Sequence, residues 1–135
     1  MEAVEKAMQN HKKGYNCAQS VACAFSGAFG IDEGTAFRLA EGFGFGMGAM
    51  EACGAVTAIA MVTGMKESDG NLSSPSTKKV CYEKAKRMIE AFKAKNTSII
   101  CSELKGAKTG KPLRGCDGCI EDAVIIIEKE LLFNS

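Results

Sequence analysis

The sequence has almost no net charge, only one histidine and no apolar signal-like start, and each shortage excludes a class of protein. Lys and Arg number 17 against 16 for Asp and Glu, so the formal net charge is +1. A protein that binds nucleic acid or an anionic membrane surface through charge needs a concentrated basic surface. We therefore expect no nucleic-acid partner and no electrostatic attachment to lipid.

A long uninterrupted apolar run is also missing. The longest largely apolar stretch, residues 43–65, begins with several glycines and contains Glu51. Its uncharged remainder, residues 52–65, is shorter than the roughly 20 residues that a transmembrane helix needs. We predict a buried central helix there and no membrane insertion. The first ten residues are charged and amphipathic rather than signal-like, which favours a reducing, cytoplasmic location.

The spacing of apolar residues is helical in most of the chain. Helices are predicted over residues 2–12, 16–29, 32–41, from about 49–51 to 64, 76–95 and from 117 onward. A short helix-like segment over residues 98–104 contains Cys101. Asn16 and Gln19 have the spacing of a capping box, and Asp32 is a candidate N-cap. No stretch alternates with the period of a half-buried strand. We predict an all-α, compact, single-domain bundle of about five to six helices around a central apolar helix, covering residues 1–135.

Cysteine, by contrast, is abundant. The chain has seven cysteines, an odd number that cannot be fully paired within one molecule. In a reducing compartment such thiols stay free, bind metal or cycle. A helix N-terminus favours the thiolate, because its N–H groups and dipole stabilise negative charge. Cys17 and Cys53 lie near predicted helix starts, where a reactive thiol or ligand and a small packing residue are equally supported.

Cys116 and Cys119 form a C-x-x-C at the start of the last predicted helix. Two sulfurs at this spacing can close a disulfide or share a metal. A thioredoxin-like site is not expected, because no βαβ pattern precedes the motif. A zinc finger is not expected either, since there is no second C-x-x-C and His11 is the only histidine. By position alone, packing roles are favoured for Cys23, Cys81 and Cys101.

Four stretches of the chain match a known signature. They read Gly14-Tyr15-Asn16-Cys17-Ala18-Gln19, Cys53-Gly54-Ala55, Cys101-Ser102-Glu103-Leu104 and Gly115-Cys116. In this order, and over nearly the whole chain, they resemble the C-GCAxxG-C-C family of redox-active proteins. The resemblance implies that the signature cysteines are Cys17, Cys53, Cys101 and Cys116. It thereby moves Cys101 from the core to the site, and it does not fix the role of Cys119.

We therefore expect a redox-active protein whose cysteines cluster at helix N-termini. In one version, an iron–sulfur cluster or thiophilic metal ion transfers electrons. It is bound near Gly54 by four ligands, Cys17, Cys53, Cys101 and Cys116. In the other version, Cys53 attacks and Cys116 or Cys119 resolves a reversible disulfide. Cys17 is a further catalytic candidate. The alternative function is a non-catalytic helical binding or metal-handling module with structural cysteines.

The sequence leaves three properties open. It does not decide whether the protein is an enzyme. A redox function requires a partner protein that the sequence does not identify. The apolar central segment and the last helix can be buried either within one chain or at the interface of a homodimer. Monomer and homodimer are therefore both compatible with the sequence.

Overall fold

The computed structural model describes residues 2–133, which contain seven α-helices and no strand. Their bounds are α1 (Glu2–Lys12), α2 (Cys17–Phe25), α3 (Glu33–Glu41), α4 (Gly54–Glu67), α5 (Lys78–Asn96), α6 (Cys101–Lys105) and α7 (Cys116–Ile127). A 3-10 turn (Gly27–Phe29) follows α2, an irregular loop with left-handed residues covers Gly46–Met50, and a π-helical turn occupies Glu128–Phe133. The all-α prediction is confirmed.

Local hydrogen bonds fix the starts of α2 and α3. The Asn16 side chain accepts a hydrogen bond of 2.8 Å from the backbone N–H of Gln19. The Gln19 side chain accepts one of 2.9 Å from the backbone N–H of Asn16, which completes the predicted capping box. Asp32 accepts a bond of 3.0 Å from the Thr35 N–H. Such caps stabilise a helix by about 1 kcal/mol each.

Helix α4 is the central element of the bundle. It contacts α2, α5 and α7, and half of its 14 residues are buried. The residues of α4 in the apolar core are Ala55, Val56, Ala58, Ile59 and Val62. The same core includes Val21, Phe25, Phe92, Ile120 and Val124 from the surrounding helices. No helix within residues 2–133 has both the length and the apolar character needed to cross a bilayer.

Several predicted helix boundaries were wrong. Helix α4 begins at Gly54 rather than at residues 49–51, because the preceding segment contains Phe45, Met47 and Met50 with φ values of 53°, 61° and 56°. A right-handed helix requires negative φ, so it cannot form across these residues. Helix α4 also continues past the predicted stop at residue 64, and α2 ends before the predicted residue 29. The segment containing Cys101 is a separate short helix, which brings the described helices to seven.

Candidate thiol site

A cavity of about 190 Å³ lies where four helices begin. Three of its cysteines are the first residues of α2, α6 and α7, and a fourth directly precedes α4. A fifth lies one turn inside α7. The cysteines that line the cavity are Cys17, Cys53, Cys101, Cys116 and Cys119. The structure therefore places all the predicted site cysteines around one space, although their sequence positions span 103 residues (119 minus 17, plus one).

Backbone hydrogen bonds hold the segments before α4 and α6 together. The N–H of Cys53 donates to the C=O of Ile99 at 2.7 Å, and the N–H of Cys101 donates to the C=O of Glu51 at 2.6 Å. Gly46 packs directly against this pairing. A Cβ at Gly46 would lie 2.5 Å from the Glu51 nitrogen and 2.8 Å from the Cys101 Cβ, and φ is 58°. Only glycine is compatible with this contact and this backbone conformation.

Gly54 allows the starts of α2 and α4 to approach each other. A Cβ at this position would lie 3.0 Å from the Ala18 nitrogen, 3.1 Å from the Phe43 oxygen and 3.2 Å from the Cys17 Cβ. These distances are shorter than ordinary van der Waals contacts. The space beside Gly54 is thus filled by atoms of residues 17, 18 and 43. This close packing places the adjacent Cys53 near Cys17.

Cys53 and Cys119 form the buried thiol pair of the site, with exposures of 6% and 2%. Interaction with the Cys119 thiol is the largest influence on Cys53 and lowers the pKa of Cys53 to about 7, despite the opposing effect of burial. The N–H groups of Ala55 and Val56 at the start of α4 lower this pKa further. Interaction with Cys53, followed by burial, strongly raises the pKa of Cys119. The interaction therefore favours the thiolate at Cys53 and the neutral thiol at Cys119.

Cys17 and Cys116 form a second, partly exposed thiol pair. Burial is the main reason why the pKa of Cys17 is raised, and the neighbouring Cys116 and Cys53 raise it further. The Lys105 Nζ donates a hydrogen bond of 3.2 Å to the Cys116 Sγ. This contact raises the pKa of Lys105. The ammonium also lies 5.7 Å from the centre of the Phe45 ring, a cation–π geometry.

A buried carboxylate anchors the first turns of α7. Asp122 is 1% exposed and accepts hydrogen bonds of 3.1 Å from the Arg114 Nε and 2.6 Å from the Lys95 Nζ. A third bond, of 3.1 Å, comes from the Asn96 side chain. The Cys119 Sγ lies 3.8 Å from the Arg114 carbonyl oxygen. The bonds from Lys95 and Asn96 connect α7 to the end of α5, and the bond from Arg114 connects it to the preceding segment. Together they fix the C-x-x-C turn at the cavity.

The basic side chains of this site were not predicted from the sequence. Lys105 and Arg114 line the cavity, and so does His11, whose Nδ1 lies 2.8 Å from the Asp117 Oδ1. Lys105 follows Cys101 by four residues in one helix, and that spacing places two side chains on the same face. This signal could have identified Lys105. No local pattern distinguishes Arg114, which depends on a partner in the next helix.

The two remaining cysteines do not line this cavity. Cys23 lies within α2 and is 2% exposed, and burial raises its pKa to about 11. Cys81 lies in α5 and is only partly buried, although its helical spacing predicted a buried face. Burial also raises the pKa of the Cys81 thiol.

The side chains were also compared with what a metal ion requires. No three His, Cys, Asp or Glu residues in the described part of the chain are arranged around a point where a metal could bind. Cys17, Cys53, Cys101 and Cys116 share the cavity, but in the described part of the chain they do not converge on a single metal ion. In this arrangement they do not fit a mononuclear metal centre.

Comparison with known proteins gives one match. Residues 15–130 match the family model described as "Putative redox-active protein (C_GCAxxG_C_C)", a span that includes all five cysteines of the cavity. Neither the curated proteins nor the solved structures contain a match to the chain.

Proposed function

The chain belongs to the C_GCAxxG_C_C family, and from this premise we propose that it is a dithiol redox protein in which Cys53 and Cys119 form a reversible disulfide. One observation carries the proposal: two buried thiols line the same cavity, and their interaction favours the thiolate at Cys53 and the thiol at Cys119. Thiol–disulfide exchange needs a nucleophilic thiolate with a second thiol within reach.

Cys53 is the attacking thiol in this proposal. Its thiolate attacks one sulfur of an external disulfide, the external S–S bond breaks, and the first thiolate leaves. Cys119 then attacks the Cys53 sulfur, and the second external group leaves with the proton from Cys119. The external disulfide gains two electrons and the protein loses two. An attacking thiol is most effective when its pKa lies near the ambient pH, and the Cys53 pKa of about 7 meets this condition.

The reverse reaction requires an external dithiol, so we propose a thiol-based redox protein as the partner. The cytoplasm suits this cycle, because a reducing thiol pool returns the pair to its free state.

The test is a disulfide map of the purified protein. Fully reduced protein is treated anaerobically with oxidised glutathione, quenched with acid, alkylated and digested, and the linked peptides are identified by mass spectrometry. We expect a Cys53–Cys119 linkage that dithiothreitol reverses. A Cys81→Ser variant is the control, because Cys81 lies outside the cavity. Free Cys53 and Cys119 in a folded, exhaustively oxidised sample would contradict the proposal and favour the binding module with structural cysteines.

The iron–sulfur or metal version rests on the same cavity cysteines. Since their arrangement lacks a convergent ligand set, we derive no chemical step through a metal. Iron, zinc and acid-labile sulfide analysis of anaerobically purified protein, with its visible absorption spectrum, separates the two versions. Stoichiometric iron and sulfide would replace the dithiol proposal by a cluster, whereas metal-free protein with a full thiol count agrees with the dithiol.

A further inference from the structure

The cavity contains two thiol pairs, not one, and they differ in access. Cys53 and Cys119 are buried, whereas Cys17 and Cys116 are each partly exposed. Each pair joins one cysteine of α7 to a cysteine at the start of another helix. A disulfide carried by a bulky molecule therefore reaches the Cys17–Cys116 pair more readily than the buried pair.

Building on the dithiol function, we propose that Cys17 and Cys116 are a second redox pair that transfers the disulfide between external molecules and Cys53–Cys119. The close approach of α2 and α4 makes this transfer feasible, because Cys17 lies against the residue that follows Cys53. A Cβ added at Gly54 would be only 3.2 Å from the Cys17 Cβ. Cys17 thus lies near Cys53 and lines the same cavity as Cys116.

In this relay, oxidation begins at the exposed pair, and the Cys17–Cys116 disulfide takes the place of the external disulfide that Cys53 attacks. The Cys116 sulfur, which accepts a hydrogen bond from Lys105 at 3.2 Å, attacks one sulfur of an external disulfide and releases the first thiolate. Cys17 then attacks the Cys116 sulfur, and the second external group leaves with the proton of Cys17. The external disulfide has gained two electrons, and the protein holds a Cys17–Cys116 disulfide.

Transfer inward consists of two exchanges. The Cys53 thiolate attacks the Cys17 sulfur, the Cys17–Cys116 bond breaks, and the Cys116 thiolate leaves beside the Lys105 ammonium. Cys119 then attacks the Cys53 sulfur, the Cys17–Cys53 bond breaks, and the proton of Cys119 passes to Cys17. One disulfide is present throughout, so no further oxidant is needed. Lys105 favours this direction because it stabilises the departing thiolate.

The two pairs also determine how many thiols of the protein can be oxidised. Once the disulfide has moved inward, Cys17 and Cys116 are reduced again and can react with a second external disulfide. Complete oxidation therefore consumes four of the seven thiols. The thiols that stay free are Cys23, Cys81 and Cys101.

The test follows the linkages with time. Reduced protein is mixed with oxidised glutathione, quenched with acid at intervals and mapped by mass spectrometry. We expect Cys17–Cys116 to appear first, Cys53–Cys119 to follow, and four thiols to be lost at completion. Simultaneous loss of only two thiols, with Cys53–Cys119 formed directly, would overturn the second pair.

A Cys17→Ser variant makes the test independent of timing. It should accumulate glutathione on Cys116 and form Cys53–Cys119 at least about tenfold more slowly, because the buried pair must react directly. Cys81→Ser, a change at another partly buried cysteine, should react as the unaltered protein does. Circular dichroism and a Cys116→Ser variant exclude a folding defect as the cause. An unchanged rate in Cys17→Ser would refute the relay and leave the dithiol function intact, whereas absence of Cys53–Cys119 in the unaltered protein would refute both.

Discussion

The start of α4 and the last turn of α2 each contain a buried cysteine, yet they give the thiol opposite properties. Cys53 is 6% exposed and Cys23 is 2% exposed, so burial alone does not distinguish them. Interaction with Cys119 and the free N–H groups of α4 lower the pKa of Cys53 to about 7. Burial, with Glu33 nearby, raises the pKa of Cys23 to about 11. The position of a cysteine along its helix, and the neighbour it meets there, determine its chemistry.

The largest expected effect is the difference in reactivity between these two thiols. At pH 7, Cys53 should react with iodoacetamide about 100-fold faster than Cys23, because a larger thiolate fraction outweighs its weaker intrinsic nucleophilicity. Site-resolved mass spectrometry of briefly alkylated native protein measures the ratio. In guanidinium chloride the two rates should converge, and equal rates in the native protein would contradict the comparison.

The next effect concerns the packing that creates the site. Gly54→Ala should destabilise the protein by about 1–3 kcal/mol, because the added methyl group meets backbone atoms of α2 at close range. Gly64→Ala is the matched control within α4, since a Cβ there has nothing within 4 Å. It should be neutral or stabilising by up to about 1 kcal/mol. Urea unfolding of both variants gives the comparison, and equal stabilities would be inconsistent with close packing at Gly54.

The pH dependence of Cys53 follows from its lowered pKa. A thiol reacts as the thiolate, so the alkylation rate of Cys53 should fall about tenfold per pH unit below a midpoint near 7 and level off above it. Cys23 should show no such plateau up to pH 9, because its pKa is about 11. Stopped-time alkylation between pH 5 and 9 provides both profiles. A Cys53 midpoint near that of a free cysteine would contradict this environment.

Replacement of Cys119 distinguishes the effect of its hydrogen bond on the Cys53 pKa from the effect of the α4 N-terminus. Cys119→Ala should move the midpoint of Cys53 reactivity upward by about one pH unit, since a hydrogen bond to a charged group contributes about 1.5–3 kcal/mol and the helix start still favours the thiolate. Cys119→Ser should restore part of the shift, because the hydroxyl group still donates. If both variants kept the original midpoint, the Cys119 thiol would not be the main influence on Cys53.

The smallest expected effect is that of Lys105. Lys105→Gln should raise the Cys53 midpoint only slightly and slow its alkylation at pH 7 by about twofold to threefold, because a partly exposed charge is screened by water. Lys108→Gln, a change at an exposed lysine outside the cavity, is the matched control. Added salt should reduce the difference between Lys105→Gln and the unaltered protein, and a salt-independent difference would point to altered structure.

Local sequence was enough to predict those structural elements that depend only on neighbouring residues. The Asn16–Gln19 capping box and the Asp32 cap are contained in a few consecutive positions, so they were predicted and confirmed. The start of α4 was predicted wrongly, because positive φ values at Phe45 and Met50 were not foreseen from residues that ordinarily avoid them. Contacts such as those of Gly46 with residues around position 51 and with Cys101 hold that segment in place.

The sequence by itself determined that the chain is helical, that it has a central apolar helix, and that its signature cysteines lie at or near helix starts. It had left Cys116 and Cys119 as equal candidates for the partner of Cys53. Only the tertiary structure placed Cys119 beside Cys53 and Cys116 beside Cys17 and Lys105. The physical reason is that caps and apolar periodicity act within a few residues, whereas these thiol contacts join helix ends whose relative positions depend on the packing of α2, α4 and α7.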